Sequence, residues 1–317
     1  MQKILIIRFS SIGDIVLTSP VIRCVKLQMK PELHFLTKKQ YMSILTSNPY
    51  LDKVIPLQHS WSATCTVLRK ENYDLIIDLQ SSIRSFWLKL NLLKKSVAVK
   101  KENWKKFLYI NFGINKLGDH VVDRYFKTVQ SLGVINDLKG LDYFISSKIN
   151  IDFDISQNFM AWSVGGSYLQ KQLSKNQIVE VSNSISIPIV LLGGPNEKQF
   201  GDSIVLSSKN QKIFNFCGHL SLDESAYLIE KSKFVLSNDT GLMHIAAAFK
   251  KEIISFWGCT KPALGFSPYM ANEKSVQIVF NPLSRPCSKH GQFCKETLKG
   301  CVKKISCKEI IETIQKI

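Results

Sequence analysis

The chain has 317 residues, 45% of them hydrophobic and 21% charged, with a formal net charge of +17. That length suggests about two domains, and the apolar content is ample for two packed cores. No apolar run approaches a bilayer span, and Met1-Gln2-Lys3 leads into a short strand instead of a signal peptide's apolar region, so a cytoplasmic chain, free or touching a membrane face, is expected. The positive charge suits polyanions: nucleic acid, an anionic membrane face or phosphorylated substrates. Composition does not choose among them.

Strand and helix signals alternate from the start. "KILIIRF" (3–9) reads as a buried strand, and 15–29 as a helix with Pro20 in or near its first turns. "ELHFLT" (32–37), "KVIPL" (53–57), "YDLIIDL" (73–79) and "SVAVK" (96–100) are further strands, with helical patterns between them, for example around 62–71. The polar segment 136–157 breaks the rhythm and reads as a linker. The rhythm resumes with strands at 159–164, 187–193, 212–217, 233–238 and 252–258, and helices near 175–184, 198–207, 222–231 and 240–249. This βαβ order predicts an α/β protein: two doubly wound, mostly parallel sheets with helices on both faces. The expected domains are 1–152 and 153–317, facing one cleft, with the last helix (about 307–317) packing back on the first domain.

In open parallel sheets, ligands bind beyond the carboxyl ends of the strands. "RFSSIGDIVLTSP" (8–20) occupies that place after the first strand. Gly13 would allow a tight turn and close approach of backbone to a ligand. Asp14 reads equally as an acid at a cleft mouth or as a helix cap, a role open to Ser11 too. The loop lacks both G-x-G-x-x-G and G-x-x-x-x-G-K-[ST], which disfavours a dinucleotide dehydrogenase or a P-loop NTPase.

Three loops of the second half follow the same logic. "LSNDTGLMHIAAAF" (236–249) places Asp239, Thr240 and Gly241 at a helix start, with His244 on the face of Thr240; capping by Asp239 is the plainer alternative. "VGGSYLQKQLS" (164–174) brings Gly165, Gly166 and Ser167 before Lys171, a point charge suited to phosphate. "VLLGGPNEK" (190–198) ends a strand in Gly193-Gly194-Pro195, which is either a close approach to a ligand or a plain turn.

These stretches, with "DLQSSIRS" (78–85), "HVVDRYFKTVQSLG" (120–133), "CGHLSLDE" (217–224) and "FWGCTKP" (256–262), resemble the heptosyltransferases of lipopolysaccharide core synthesis, glycosyltransferase family nine, over nearly the whole chain and in the same order. The resemblance implies a GT-B fold of two Rossmann-like domains. It implies inverting transfer of heptose from ADP-heptose to a lipid A–inner core acceptor, an anionic phosphorylated glycolipid, on the cytoplasmic face of the inner membrane. By the same match Asp14 would be the general base, and Ser11 and Gly13 beside it would help hold the donor's sugar and phosphates. Lys171 would neutralise the diphosphate. Gly166, Ser167, Asp239, Thr240, Gly241 and His244 would hold the donor, and Asn196 and Leu220 would lie near the donor's adenine. Arg84, His120 and Arg124 would face the acceptor. Where many relatives follow their lysine with an aromatic residue and proline, this chain has "KQLS". Two alternatives stand: a related transferase using another nucleotide sugar or acceptor, and a basic, non-catalytic protein binding nucleic acid or membrane.

Residues 84–106 interleave Lys and Arg with Trp, Leu and Phe, which suits an anionic membrane surface or an ordinary helix and strand with solvated lysines. No nucleic-acid motif accompanies them, and no nucleic-acid partner is expected. No cofactor is expected beyond the donor. "DFD" (152–154) precedes a strand instead of following one and reads as linker, not as a metal site. Of eight cysteines, Cys24, Cys65, Cys217 and Cys259 read as buried apolar residues. Cys287, Cys294, Cys301 and Cys307, spaced by 7, 7 and 6, read as reduced structural thiols, with a structural zinc as the lesser possibility because no C-x-x-C pair is present.

Overall fold

A computed structural model describes residues 2–146 and 149–317. In chain order the elements are β1 (Lys3–Ile7), α1 (Ile12–Val16), α2 (Ser19–Met29), β2 (Glu32–Thr37), α3 (Ser43–Thr46), β3 (Lys53–Pro56), α4 (Trp61–Lys70), β4 (Leu75–Asp78), α5 (Ile83–Leu92), β5 (Lys95–Ala98), α6 (Asn103–Phe112) and α7 (Val121–Val129). They continue with β6 (Met160–Ser163), α8 (Lys175–Asn183), β7 (Ile189–Leu192), α9 (Lys198–Ser207), β8 (Ile213–Asn215), α10 (Leu222–Lys231), β9 (Val235–Asn238), α11 (Gly241–Ala248), β10 (Ile253–Trp257), β11 (Val276–Val279) and α12 (Cys307–Gln315). The chain divides into two compact units, one of 2–102 with Asp119–Ser146, the other of Asn103–Gly118 with 149–317. A single boundary near 152 is therefore too simple, because α6 leaves the first unit and belongs to the second.

The first unit holds a five-stranded parallel sheet in the order β3-β2-β1-β4-β5. Leu5, Ile7, Leu36, Ile76 and Leu88 share its core. Strand order reverses between β1 and β4, so the loops after those two strands flank the crevice where doubly wound sheets bind ligands. The second unit holds six parallel strands, β11-β10-β9-β6-β7-β8, with the reversal between β6 and β9. Its core runs from Met160 and Trp162 to Ile310 and Ile314. The last helix, expected on the first domain, instead buries Ile310 and Ile314 here, against α8.

Two further differences from the sequence reading have local causes. The helix expected over 15–29 breaks into α1 and α2, with Thr18 between them and Pro20 in the first turn of α2. Proline has no N–H to donate, and its ring clashes with the carbonyl four residues earlier, so the helix restarts where that N–H is not needed. The segment 136–157 is not linker throughout. Arg23, 2% exposed on α2, forms a two-pronged pair with Asp137 (2.8 Å for each prong), binds Asp142 and donates to Gly140 O at 2.9 Å. Arg23 holds Asp137 down to about 2. Polar composition hid this anchor, since its partners lie more than a hundred residues apart. Farther on, Phe153 of "DFD" packs edge-on against Phe159, Phe214 and Phe216, and Asp154 closes a turn on Ser156.

Candidate active site

In the first unit the loop after β1 is organised by Arg8. Its guanidinium donates to Leu79 O (2.8 Å) and Ser10 O (2.9 Å), sits over the Tyr125 ring at 6.0 Å, and pairs with Asp14 Oδ1 at 2.6 Å. The other carboxylate oxygen of Asp14 accepts from Ser11 N (3.2 Å) and Ser11 Oγ (3.0 Å). Asp14 is thus the cap partner of Ser11: it is the third residue of α1, yet its side chain keeps 23% exposure. Burial pushes the Asp14 carboxyl up, but the charge of Arg8 and the hydrogen bonds from Arg8 and Ser11 outweigh it and hold the group below its ordinary value. Gly13 lies buried within α1, in helix instead of a turn. Phe9 N donates to Gln80 Oε1 at 2.9 Å, joining the two loops at the strand reversal.

The expected acceptor residues sit differently from one another. Arg84 is exposed in the first turn of α5. His120 is the N-cap of α7, its Nδ1 accepting from Val122 N at 3.2 Å. Arg124 is buried, pairs with Glu102 at 3.5 Å, and has Nε and Nη2 without a hydrogen-bond partner among the described residues. Burial lowers its pKa, with Glu102 opposing.

In the second unit, the loops after β6 and β9 meet. Asn238 Nδ2 donates to Val164 O (2.9 Å) and Gly165 O (3.0 Å). Lys171 Nζ lies 2.7 Å from Asp239 Oδ2, which also accepts from Thr260 Oγ1 at 2.9 Å. Asp239 is therefore committed to Lys171 and Thr260, while Thr240 takes the N-cap position of α11. Thr240 Oγ1 lies 3.2 Å from Ser163 Oγ and 3.4 Å from Ser237 Oγ. Gly241 opens the helix and His244 is buried along it. Gly166 and Ser167 lie on the loop leading to Lys171, half-buried and exposed respectively. Asn196 is exposed beside Pro195, and Gly218, at φ +75°, closes the turn before Leu220 so tightly that an added Cβ would lie 3.0 Å from Pro195 Cα. Both base-side candidates therefore belong to touching turns.

Three contributors were not singled out from the sequence. Arg8 lay inside the first quoted stretch, and an arginine ending a buried strand was its signal. Thr260 follows Cys259 in "FWGCTKP". Glu197 Oε2 accepts from Gly194 N at 2.9 Å and lies against Gly165, filling the space beside both glycines.

Two parallel sheets, each with polar and charged side chains gathered where its strand order reverses, define an α/β protein of the GT-B fold class. A family model described as Glycosyltransferase family 9 (heptosyltransferase) matches residues 61–295, and the chain belongs to that family. It is 24% identical to lipopolysaccharide heptosyltransferase 1 of Campylobacter coli over 290 residues, 82% of this chain and 84% of that one. Its fold resembles the glycosyl transferase family 9 protein of Veillonella parvula, with a TM-score of 0.80 at 18% identity over 99% of this chain and 96% of that one. It also resembles E. coli heptosyltransferase WaaC with ADP-2-deoxy-2-fluoro heptose, with a TM-score of 0.71 at 20% identity over 99% of each chain. The chain is an enzyme, a glycosyltransferase of the heptosyltransferase type, and the non-catalytic alternative falls.

Proposed function

We propose that this enzyme transfers heptose from ADP-heptose, with inversion, to a phosphorylated lipid A–inner core acceptor. The observation that carries the reading is the pairing of reactive groups with topology. Each sheet places one group the reaction requires at its strand reversal: an ionised carboxylate, Asp14, in one unit, and a lysine beside a helix start, Lys171 and Gly241, in the other. Asp14 takes the proton from the acceptor hydroxyl as that oxygen attacks the anomeric carbon. The bond from that carbon to the diphosphate breaks, and its electron pair leaves on the phosphate oxygen, where Lys171 and the first amides of α11 stabilise the charge. Asp239 holds Lys171 in place and offers an acceptor to sugar hydroxyls. Arg124, with two buried nitrogens that have no hydrogen-bond partner among the described residues, and the exposed Arg84 supply charge for an anionic acceptor. The WaaC complex with a fluorinated ADP-heptose supports the donor.

The test is a panel of nucleotide sugars read by thermal shift and by transfer to a heptose-deficient core. ADP-heptose at a hundredfold excess over Kd should stabilise the chain by about 2.7 kcal/mol. Stabilisation and turnover with a UDP- or GDP-sugar, and none with ADP-heptose, would move the assignment to the related-transferase alternative.

A peripheral place on the inner membrane is part of the same proposal. On α5, Ile83, Phe86, Trp87 and Leu90 are exposed, as is Leu93 just past its end, next to Arg84, Lys94 and Lys95. Apolar side chains flanked by cations suit the surface of an anionic bilayer. Phe86→Ser with Trp87→Ser should weaken cosedimentation with phosphatidylglycerol vesicles by about tenfold or more, since each side chain contributes on the order of a kcal/mol of burial. Equal binding by wild type and double variant would exclude this surface.

A further inference from the structure

The cysteine the sequence reading left among the scattered ones, Cys259, joins Cys287, Cys294 and Cys301, and the one it grouped with the tail, Cys307, stands apart at the start of α12. The four sulfurs all lie within 4.8 Å of one another. Cys259 and Cys301 are 3.6 Å apart and Cys287 and Cys294 3.8 Å, and all eight cysteines are free thiols. A disulfide needs about 2.05 Å. A tetrahedron of thiolates around one ion at about 2.3 Å has edges of about 3.8 Å. The other group of ligand-type side chains among the described residues, Glu32, His34 and Glu71, has no such vacancy for an ion, because Lys3 Nζ already bridges Glu32 (2.9 Å) and Glu71 (3.1 Å).

The loop carrying three of these cysteines is tied by polar contacts to Asn103, Ile110 and Asn111 of α6 and has little hydrophobic burial of its own. Between β11 and Cys301 it has no regular secondary structure. Its large apolar side chains point outward: Leu283 is 99% exposed, Leu298 96% and Phe293 51%. A long irregular loop with its hydrophobes in water lacks the burial that would order it. What it buries instead is Cys287, Ser288 and Cys301, with Pro286, Gly291 and Gly300. Cys294 Sγ accepts from Thr297 N (3.3 Å) and Glu296 N (3.4 Å), the outer hydrogen bonds that orient a thiolate ligand. Lys261, 3% exposed and two residues from Cys259, donates from Nζ to Phe280 O (2.5 Å) and Asn281 O (2.9 Å) at the start of the loop.

We propose that Cys259, Cys287, Cys294 and Cys301 bind one thiophilic metal ion, zinc or iron, in a closed tetrahedral site of structural type. The ion staples the loop against the segment bearing Lys171. Gly291, at φ +79°, lies so close that a Cβ there would be 2.5 Å from Lys171 Cγ, and Gly300, at φ +98°, backs onto Gln170 O at the same distance. Gln292 Nε2 reaches Tyr168 Oη at 3.3 Å, and Thr260, next to Cys259, holds Asp239. The site thus positions the Lys171–Asp239 pair without touching substrate. The metal claim stands apart from the donor assignment, since its readout is the ion itself.

The full chain, purified under reducing conditions from metal-replete cells, should carry about one ion per chain by elemental analysis. A colourless protein with zinc or a red one with iron–thiolate charge-transfer bands equally supports the site and tells the metals apart. Protein produced with cobalt should show the intense visible bands of a tetrahedral tetrathiolate. Cys294→Ala, at the most exposed ligand, should lower retained metal more than tenfold, while Cys307→Ser keeps it. Wild-type protein with under about a tenth of an ion per chain, or equal metal retention by Cys294→Ala and Cys307→Ser, overturns the proposal.

Discussion

Asp14→Asn should lower transfer by roughly 10²–10⁴-fold, the usual contribution of a positioned general base, while the fold and ADP binding survive. Asparagine preserves the shape and still accepts from Ser11, but it cannot take the acceptor's proton. The partner Arg8 makes this prediction sharper. The ion pair keeps Asp14 ionised and aimed, and it lowers its basicity. The acid limb of kcat/KM should therefore fall below the ordinary carboxylate range, about 3.9 for aspartate. In Arg8→Met the charge that holds the carboxyl down is gone and burial is left to push it up, so the limb should move to higher pH. Stability follows the same sign. A carboxyl depressed on folding contributes above its unfolded pKa, and that contribution is lost as pH falls through the folded value. Asp14→Asn should then destabilise the chain near neutrality and lose that effect in acid. A variant that turns over at the wild-type rate would remove Asp14 from the chemistry.

Lys171→Met should cost about 10²–10³-fold in kcat, the scale for removing one charge-stabilising donor, and should abolish stabilisation by ADP in thermal shift. Lys171→Arg should recover part of the binding, since the charge persists in a different shape. Losing Lys171 also leaves Asp239 with Thr260 as its remaining partner among the described residues, so the single variant should be less stable than wild type. Adding Asp239→Asn should restore stability without restoring turnover. That split separates the two roles of the pair: if the double variant regains activity along with stability, Lys171 is only a structural partner of Asp239.

Much of this protein was legible along the chain because its signals are local. Continuous apolar runs such as "ILII" and "IVLL" mark strands buried on both faces, and their alternation with helices dictates parallel sheets. The loops after β1, β6 and β9 announced themselves through glycine, serine and acid at strand ends. The strand β11 was not foreseen, since "VQIV" is short and lies in a polar stretch. Helix α7 is likewise absent from the sequence reading, which takes its stretch only as a motif.

By itself, then, the sequence determined the two-sheet α/β plan, the family, and which loops carry Asp14, Lys171 and Asp239. Tertiary structure alone decided which groups pair across distance: Arg8 with Asp14, Lys171 with Asp239 and Thr260, Arg23 with Asp137, and Cys259 with a loop that begins beyond β11. Periodicity reports how a residue faces its immediate neighbours, whereas these pairings depend on where the sheet returns the chain. Cys259 and Cys287 meet because β10 and β11 lie side by side in register, and no spacing along the chain encodes that adjacency.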